Sequence, residues 1–321
     1  MTMHTQPLLS IVLSFRNEAD LLQELTSRLT RVLEQSGCRH ELIFVDDAST
    51  DGSEGVLRSI AAQDARVRVI RMSRRFGPSE CVFAGLRHAA GDAAVFMDTD
   101  LQDPPELLPA LIARWRDGAD VVHTVRTRRL GESRMKMAFT GLAYRLIRAL
   151  ADIDLQVEAG DFKLLSRRAV DALLSTNEVD PYLRGLAVWV GFRQESVSYE
   201  RQPRGAGVSH FPFFSPNPWR TVLSGLTSFS VLPLLIWGPL GLLLCAASLP
   251  GLIMAAAGSG SQTLLIVSLV LLLGGLQMMA LGVIGLYVAR VFRQSRARPA
   301  YIIADTWGWP GGVPPSTPPS A

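Results

Sequence analysis

From residue 8 onward, short unbroken apolar runs alternate with stretches in which apolar residues recur every three or four positions. Leu8–Phe15 is an apolar run with the residue types that strands favour. Glu18–Gln35 then carries Leu21, Leu22, Leu25, Leu29, Val32 and Leu33 at helical spacing. Glu41–Val45 predicts a second strand, Gly52–Ala62 a second helix and Val67–Met72 a third strand. Glu80–Ala89, Ala93–Met97, Pro105–Arg116 and Asp120–Val125 continue the alternation. Short apolar strands alternating with helices predict an α/β fold with a mainly parallel, doubly wound, Rossmann-like sheet. Ligands bind such sheets at the carboxyl ends of the strands.

The pattern changes in the last third. From Thr221 through Ala289, 69 consecutive residues include no Asp, Glu, Lys, Arg or His. Within them, 231–257 and 264–288 are long apolar runs separated by a Gly/Ser-rich break. Each exceeds the ~20 residues a helix needs to cross a bilayer, so a two-helix transmembrane hairpin is expected. Arg220 precedes the pair, and Arg290, Arg293, Arg296 and Arg298 follow it. That asymmetry predicts a multi-pass protein of the inner (plasma) membrane with the α/β domain and both termini cytoplasmic. The expected domains are a cytoplasmic α/β unit over 1–210, an aromatic interfacial segment over 211–229, the hairpin over 230–290 and a partly disordered cytoplasmic tail over 291–321. Residues 134–151 also have the composition of an interfacial amphipathic helix.

Composition narrows the function. The 252 residues outside the uncharged stretch carry all 61 formal charges, an ordinary density for a folded domain. The net charge of +3 and the absence of an aromatic-rich basic stripe argue against a nucleic-acid partner. Three cysteines, far apart, show no metal-ligand spacing. Homo-oligomer formation stays open.

The expected strand ends carry the chemistry. Ser14 to Glu18 follows the first strand, Asp46 to Gly52 the second and Asp98 to Pro105 the fourth. No Gly-x-Gly-x-x-Gly and no Walker loop appears, which weighs against dinucleotide and P-loop readings. Asp98-x-Asp100 offers two carboxylate ligands for a hard divalent cation, with a diphosphate completing the shell. Gln102 adds an oxygen ligand, and Asp103 before two prolines reads as a helix N-cap.

Three motifs in this order, SIVLSFRNE (10–18), VDDASTD (45–51) and MDTDLQDPPE (97–106), resemble family 2 glycosyltransferases. GDFKL (160–164), Arg184-Gly185, the spaced Arg201, Arg204, Gly207 and Ser209, the segment 275–287 and Arg296-x-Arg298-Pro299 bring the resemblance closer. They are similar to the polyprenyl-phosphate group that contains dolichol-phosphate mannose synthase and bacterial undecaprenyl-phosphate sugar transferases. The resemblance implies a nucleoside pocket around Ser14, Arg16, Glu18, Asp46 and Asp47. It implies that Asp98, Asp100 and Gln102 hold Mg²⁺ or Mn²⁺ and the diphosphate, and that Asp161 lies near the sugar or acceptor. Arg201, Arg204 and Ser209 would form a cationic segment at the acceptor phosphate. Ser14 and Arg16 depart from the family's usual Pro and aromatic, His210 from its usual Lys, and Leu286 from its usual Glu.

Acceptor chemistry gives a separate argument. A hydroxyl acceptor needs a general base, whereas a phosphate monoester with second pKa about 6 is mostly dianionic at neutral pH. No histidine sits in the motif cluster, and Arg126, Arg201 and Arg204 can bring a second anion to the donor. The expectation is a membrane-bound inverting enzyme that moves a sugar from a nucleoside-diphosphate sugar to polyprenyl phosphate, for cell-envelope glycan modification. The alternative is a membrane-tethered nucleotide-sugar-binding scaffold without catalysis.

Overall fold

A computed structural model describes residues 6–128, 159–176, 178, 181–200, 262–296 and 298–309. The elements in chain order are β1 Leu8–Phe15, α1 Ala19–Glu34, β2 Arg39–Asp46, α2 Ser53–Gln63, β3 Val67–Met72, α3 Pro78–His88 and β4 Ala93–Asp98. A short 3₁₀ turn at Pro105–Leu107 leads into α4 Leu108–Arg116, followed by β5 Val121–Arg128, β6 Ala159–Ser166 and α5 Arg167–Leu174. Then come α6 Leu183–Trp189, β7 Gln194–Glu200, α7 Gln262–Ser295 and β8 Ile303–Trp307.

The described strands form one eight-stranded sheet in the order β7-β5-β6-β4-β1-β2-β3-β8. Its centre is parallel: β1 lies between β2 and β4, and β2 pairs with β3. β6 runs antiparallel to both β4 and β5, and β8 runs antiparallel to β3. The sheet is therefore mixed, not the mainly parallel doubly wound sheet expected. The reason is long-range pairing: β8 joins β3 from more than two hundred residues away, which local periodicity does not encode.

Both faces of the sheet are covered. β1 is buried at every position after Leu8, as a central parallel strand requires. On one face Leu9, Ile11, Leu13, Leu42 and Phe44 pack against the leucines of α1 and against α2 and α4. On the other, Val12, Ile43, Val45 and Phe96 meet α3, α5 and α6. α3 approaches the sheet so closely that a Cβ at Gly85 would lie 2.3 Å from Val12 Cγ1. Any larger residue would push the helix away from the strands that form the rim.

The expected membrane hairpin needs correction. Among the described residues, no helix is long and apolar enough to cross a membrane. The first expected span, 231–257, lies outside the described residues, as do 134–151 and the interfacial segment 211–229. The second, 264–288, forms part of a single helix, α7, which continues through the cationic positions Arg290 and Arg293 to Ser295. A count of uncharged residues is a statement about composition and does not fix where a helix ends. The expectations of a multi-pass architecture, an inner-membrane location and a membrane partner rested on that hairpin, and they fall with it. α7 nonetheless exposes large apolar side chains, among them Val270, Leu281, Ile284 and Val288.

Candidate active site

Strand register brings the first and fourth turns level. Ser14 pairs with Val45 on one side and with Asp98 on the other, and Phe15 pairs with Asp46. The three acid-rich turns that follow β1, β2 and β4 thus leave the sheet at one height. Each contains a non-glycine residue in the left-handed region: Asn17 at φ 56°, Ala48 at φ 54° and Leu101 at φ 58°. Such conformations cost roughly 1–3 kcal/mol each and concentrate at functional rims. Neither Ala48 nor Leu101 announces this locally, since turns of this kind usually carry Gly or Asn.

The first two turns brace one another. Arg16 donates from Nη1 to the carbonyls of Asp47 at 2.7 Å and Ala48 at 3.0 Å. The Asn17 N–H donates to Ser49 Oγ at 2.9 Å, and the Thr50 N–H donates to Asn17 Oδ1 at 2.8 Å. The Ala19 N–H, at the start of α1, donates to Asp51 Oδ2 at 2.9 Å. That bond and two from Ser53 hold the Asp51 carboxyl below its usual pKa, against the opposing effect of burial. Arg16, expected at the nucleoside, braces the β2 turn through the Asp47 and Ala48 carbonyls.

Asp46 and Asp47 are buried acceptors for backbone donors. Asp46 Oδ1 accepts the Ser49 N–H at 2.8 Å. Asp47 accepts the N–H groups of Phe76 at 2.7 Å and Gly77 at 3.2 Å. Their carboxylates tie the β2 turn to itself and to the loop after β3. Glu18 sits at the N-cap of α1 without a side-chain cap bond.

The turn after β4 is built differently. Asp98 and Asp100 are both half-buried, while Thr99 between them is buried, so the two carboxylates share the open side. The Gln102 N–H donates to Asp100 Oδ1 at 3.1 Å. Among the described residues, no group of three or more His, Cys, Asp or Glu side chains gathers closely enough to hold a metal. Two adjacent hard-oxygen carboxylates fit a divalent cation whose remaining ligands come from a bound diphosphate, not from an all-protein cage. Asp103 is not the helix cap expected. It is fully buried, accepts a hydrogen bond from the Tyr199 hydroxyl, and leaves Pro104 to precede the 3₁₀ turn.

β6 completes the rim. Phe96 pairs with Lys163 in antiparallel register, and continuing that register carries Asp161 toward Asp98. Asp161 is held by Arg184 of α6, whose Nε donates to Oδ1 at 2.6 Å and whose Nη2 donates to Oδ2. Below it, the fully buried Lys163 donates from Nζ to the Gly160 carbonyl at 2.7 Å. His123, opposite Lys163, lies 2.8 Å through Nε2 from Gln194 Oε1. Burial, reinforced by the Lys163 charge, pushes its pKa down to about 4, so it is neutral at physiological pH. A lysine inside an apolar strand was the sequence signal for this buried pair, and motif reading passed over it.

Arg126 lies on β5 opposite Tyr199. Arg201, Arg204, Ser209 and His210 lie outside the described residues, and Leu286 is an exposed residue of α7.

The family model described as glycosyl transferase family 2 matches residues 10–174. An uncharacterized glycosyltransferase of Bacillus subtilis (strain 168) is 35% identical, covering 93% of this chain and 94% of its own. A bactoprenol glucosyl transferase of Shigella phage SfV is 33% identical, covering 92% and 98%. Among solved structures, glucosyl-3-phosphoglycerate synthase from Mycobacterium tuberculosis, in complex with Mn²⁺, UDP and phosphoglyceric acid, superposes with a TM-score of 0.52. It is 23% identical over 69% of this chain and 78% of that one, a likeness of fold: mixed sheet and helices in a GT-A-like arrangement.

Proposed function

Given that the chain belongs to glycosyltransferase family 2, we propose that it moves a sugar from a nucleoside-diphosphate donor to a phosphate monoester of the polyprenyl phosphate class. The observation that carries this reading is the level rim, with Ser14 beside Asp98 and the open Asp98–Asp100 pair adjoining the braced β1 and β2 turns. Ser14, Arg16, Glu18, Asp46 and Asp47 shape the nucleoside end. Asp98, Asp100 and Gln102 face the diphosphate. A divalent cation bound there would neutralise the charge that develops on the departing nucleoside diphosphate. The Mn²⁺ and UDP of the solved neighbour accord with such a donor set.

The state of two titratable groups among the described residues supports that acceptor class. His123 is buried, neutral and bonded to Gln194, and the Asp161 carboxylate is engaged by Arg184. Neither is placed to take a proton from a hydroxyl. A phosphate monoester, mostly dianionic at neutral pH, needs no base. Its oxygen forms the new bond to the anomeric carbon as the bond to the diphosphate breaks, so the configuration inverts and no proton moves. Arg126, Arg201, Arg204 and Ser209 would receive the acceptor phosphate. The name of the phage relative, a bactoprenol glucosyl transferase, supports the prenyl class.

The test is transfer from a panel of labelled UDP- and GDP-sugars to a prenyl phosphate with Mg²⁺ or Mn²⁺. A mild-acid-labile lipid product is expected from at least one donor. Donor turnover onto a hydroxyl acceptor with no product on any prenyl phosphate would sink the reading.

A further inference from the structure

The carboxyl of Asp103 has no part in the chemistry proposed above, yet it lies on the turn that carries Asp98 and Asp100. It is fully buried and accepts a hydrogen bond from the Tyr199 hydroxyl. Tyr199 is itself buried, one residue before the end of β7. In the sheet, β6 and β5 stand between β4 and β7, so this bond ties the β4 turn to a strand at the far edge. Burial of a carboxyl is costly even when it is hydrogen-bonded, and an apolar side chain would fill the same space without that cost.

Between the two carboxylates and this tie, the backbone is strained. Leu101 adopts φ 58° with its side chain buried in the core. Left-handed backbone at a non-glycine residue persists only where the surroundings fix it from more than one side. On the side of Asp98 the chain is fixed by β4, whose last residue pairs with Ser14. On the other side, Pro104 and Pro105 stiffen the chain, and the bond from Tyr199 sets where it goes. Leu101 belongs to the apolar cluster against which Val197 of β7 packs. Val197 and Tyr199 are two residues apart on one strand and share a face, so β7 turns the hydroxyl toward the cluster that holds Leu101. Asp100 directly precedes Leu101, and its Oδ1 accepts the Gln102 N–H at 3.1 Å, so its direction depends on the conformation at Leu101.

We infer that Tyr199 is a positioning residue for the donor site. Acting through Asp103, its hydroxyl holds the β4 turn in the shape that sets the Asp100 carboxylate beside that of Asp98 for a divalent cation and diphosphate. The inference rests on the metal reading of Asp98 and Asp100 proposed above and is independent of the acceptor.

Mn²⁺ binding to the full chain, followed by electron paramagnetic resonance with UDP or GDP at saturation, tests it in the wild type, D98N, Y199F and Y199F/D103L. D98N should weaken wild-type binding, and Y199F should weaken it about tenfold, in keeping with the loss of one hydrogen bond to a buried carboxyl. Y199F also removes a donor from that carboxyl, so its midpoint of urea unfolding should fall. Replacing both partners by apolar groups relieves that penalty, so Y199F/D103L should recover the midpoint but not the Mn²⁺ affinity. Recovery of both together would overturn the inference, since Tyr199 would then serve stability alone. Wild-type affinity in Y199F would overturn it and leave the metal reading intact. Mn²⁺ binding indifferent to D98N would overturn both.

Discussion

The turns after β2 and β4 both begin with acids at the end of a buried strand, yet they do different work. In the β2 turn, Asp46 and Asp47 are buried and accept backbone N–H groups from Ser49, Phe76 and Gly77. In the β4 turn, Asp98 and Asp100 remain half-buried, and Asp100 accepts the Gln102 N–H of its own turn. Acid residues after a strand are therefore two kinds of part. One kind is buried and ties loops together; the other stays half-exposed at the rim of the sheet. Burial and the supply of backbone donors separate them, and residue type does not.

Four experiments would break or sharpen this contrast. The largest effect is expected from D100N, which should lower the transfer rate about 10³-fold while leaving the midpoint of urea unfolding nearly unchanged. A stability loss matching the activity loss would place Asp100 with Asp47. Next, buried groups away from the open turn should control stability against pH. An unfolded histidine protonates near 6.5, whereas folded His123 does so only at about 4. Its contribution is therefore complete above pH 6.5 and is lost as pH falls toward 4, about 3 kcal/mol in all. Unfolding free energies of the wild type and H123Q from urea titrations should diverge by that amount between pH 7 and 4. Third, D47A should destabilise the chain by about 2 kcal/mol, because it strands the Phe76 and Gly77 donors, and D47N should recover much of it. The smallest effect concerns strain: A48G, at φ 54°, should stabilise by about 0.5 kcal/mol, since relief of the left-handed penalty slightly exceeds the added chain entropy.

Much of the central sheet was legible because its strands are fully buried and its helices one-sided. β1 and β3 fall at Leu8–Phe15 and Val67–Met72, the bounds that the apolar runs predict, and α1 begins one residue inside its expected start. The three rim turns were legible as polar interruptions. The antiparallel strands β6 and β8 were not, because nothing local marks a partner on another part of the chain. The roles of Asp47 and Asp103 were hidden for a related reason: their donors, Phe76, Gly77 and Tyr199, are far away in sequence. The apolar stretch misled in the opposite direction. Its composition was plain, but composition does not specify which helices form or pair.

The antiparallel strand β8 has a consequence for how the protein is made. Residues 303–307 close the open edge of β3, and Gly308 then turns the chain with φ 83° against the Val67 carbonyl. On the ribosome, β1 to β4 are available early, but the ladder beside β3 cannot be completed until residue 307 has emerged. Through most of synthesis the nascent sheet carries a bare edge, next to the loop that holds Asp47. Its safe maturation depends on the timing of translation and on whatever shields that edge meanwhile.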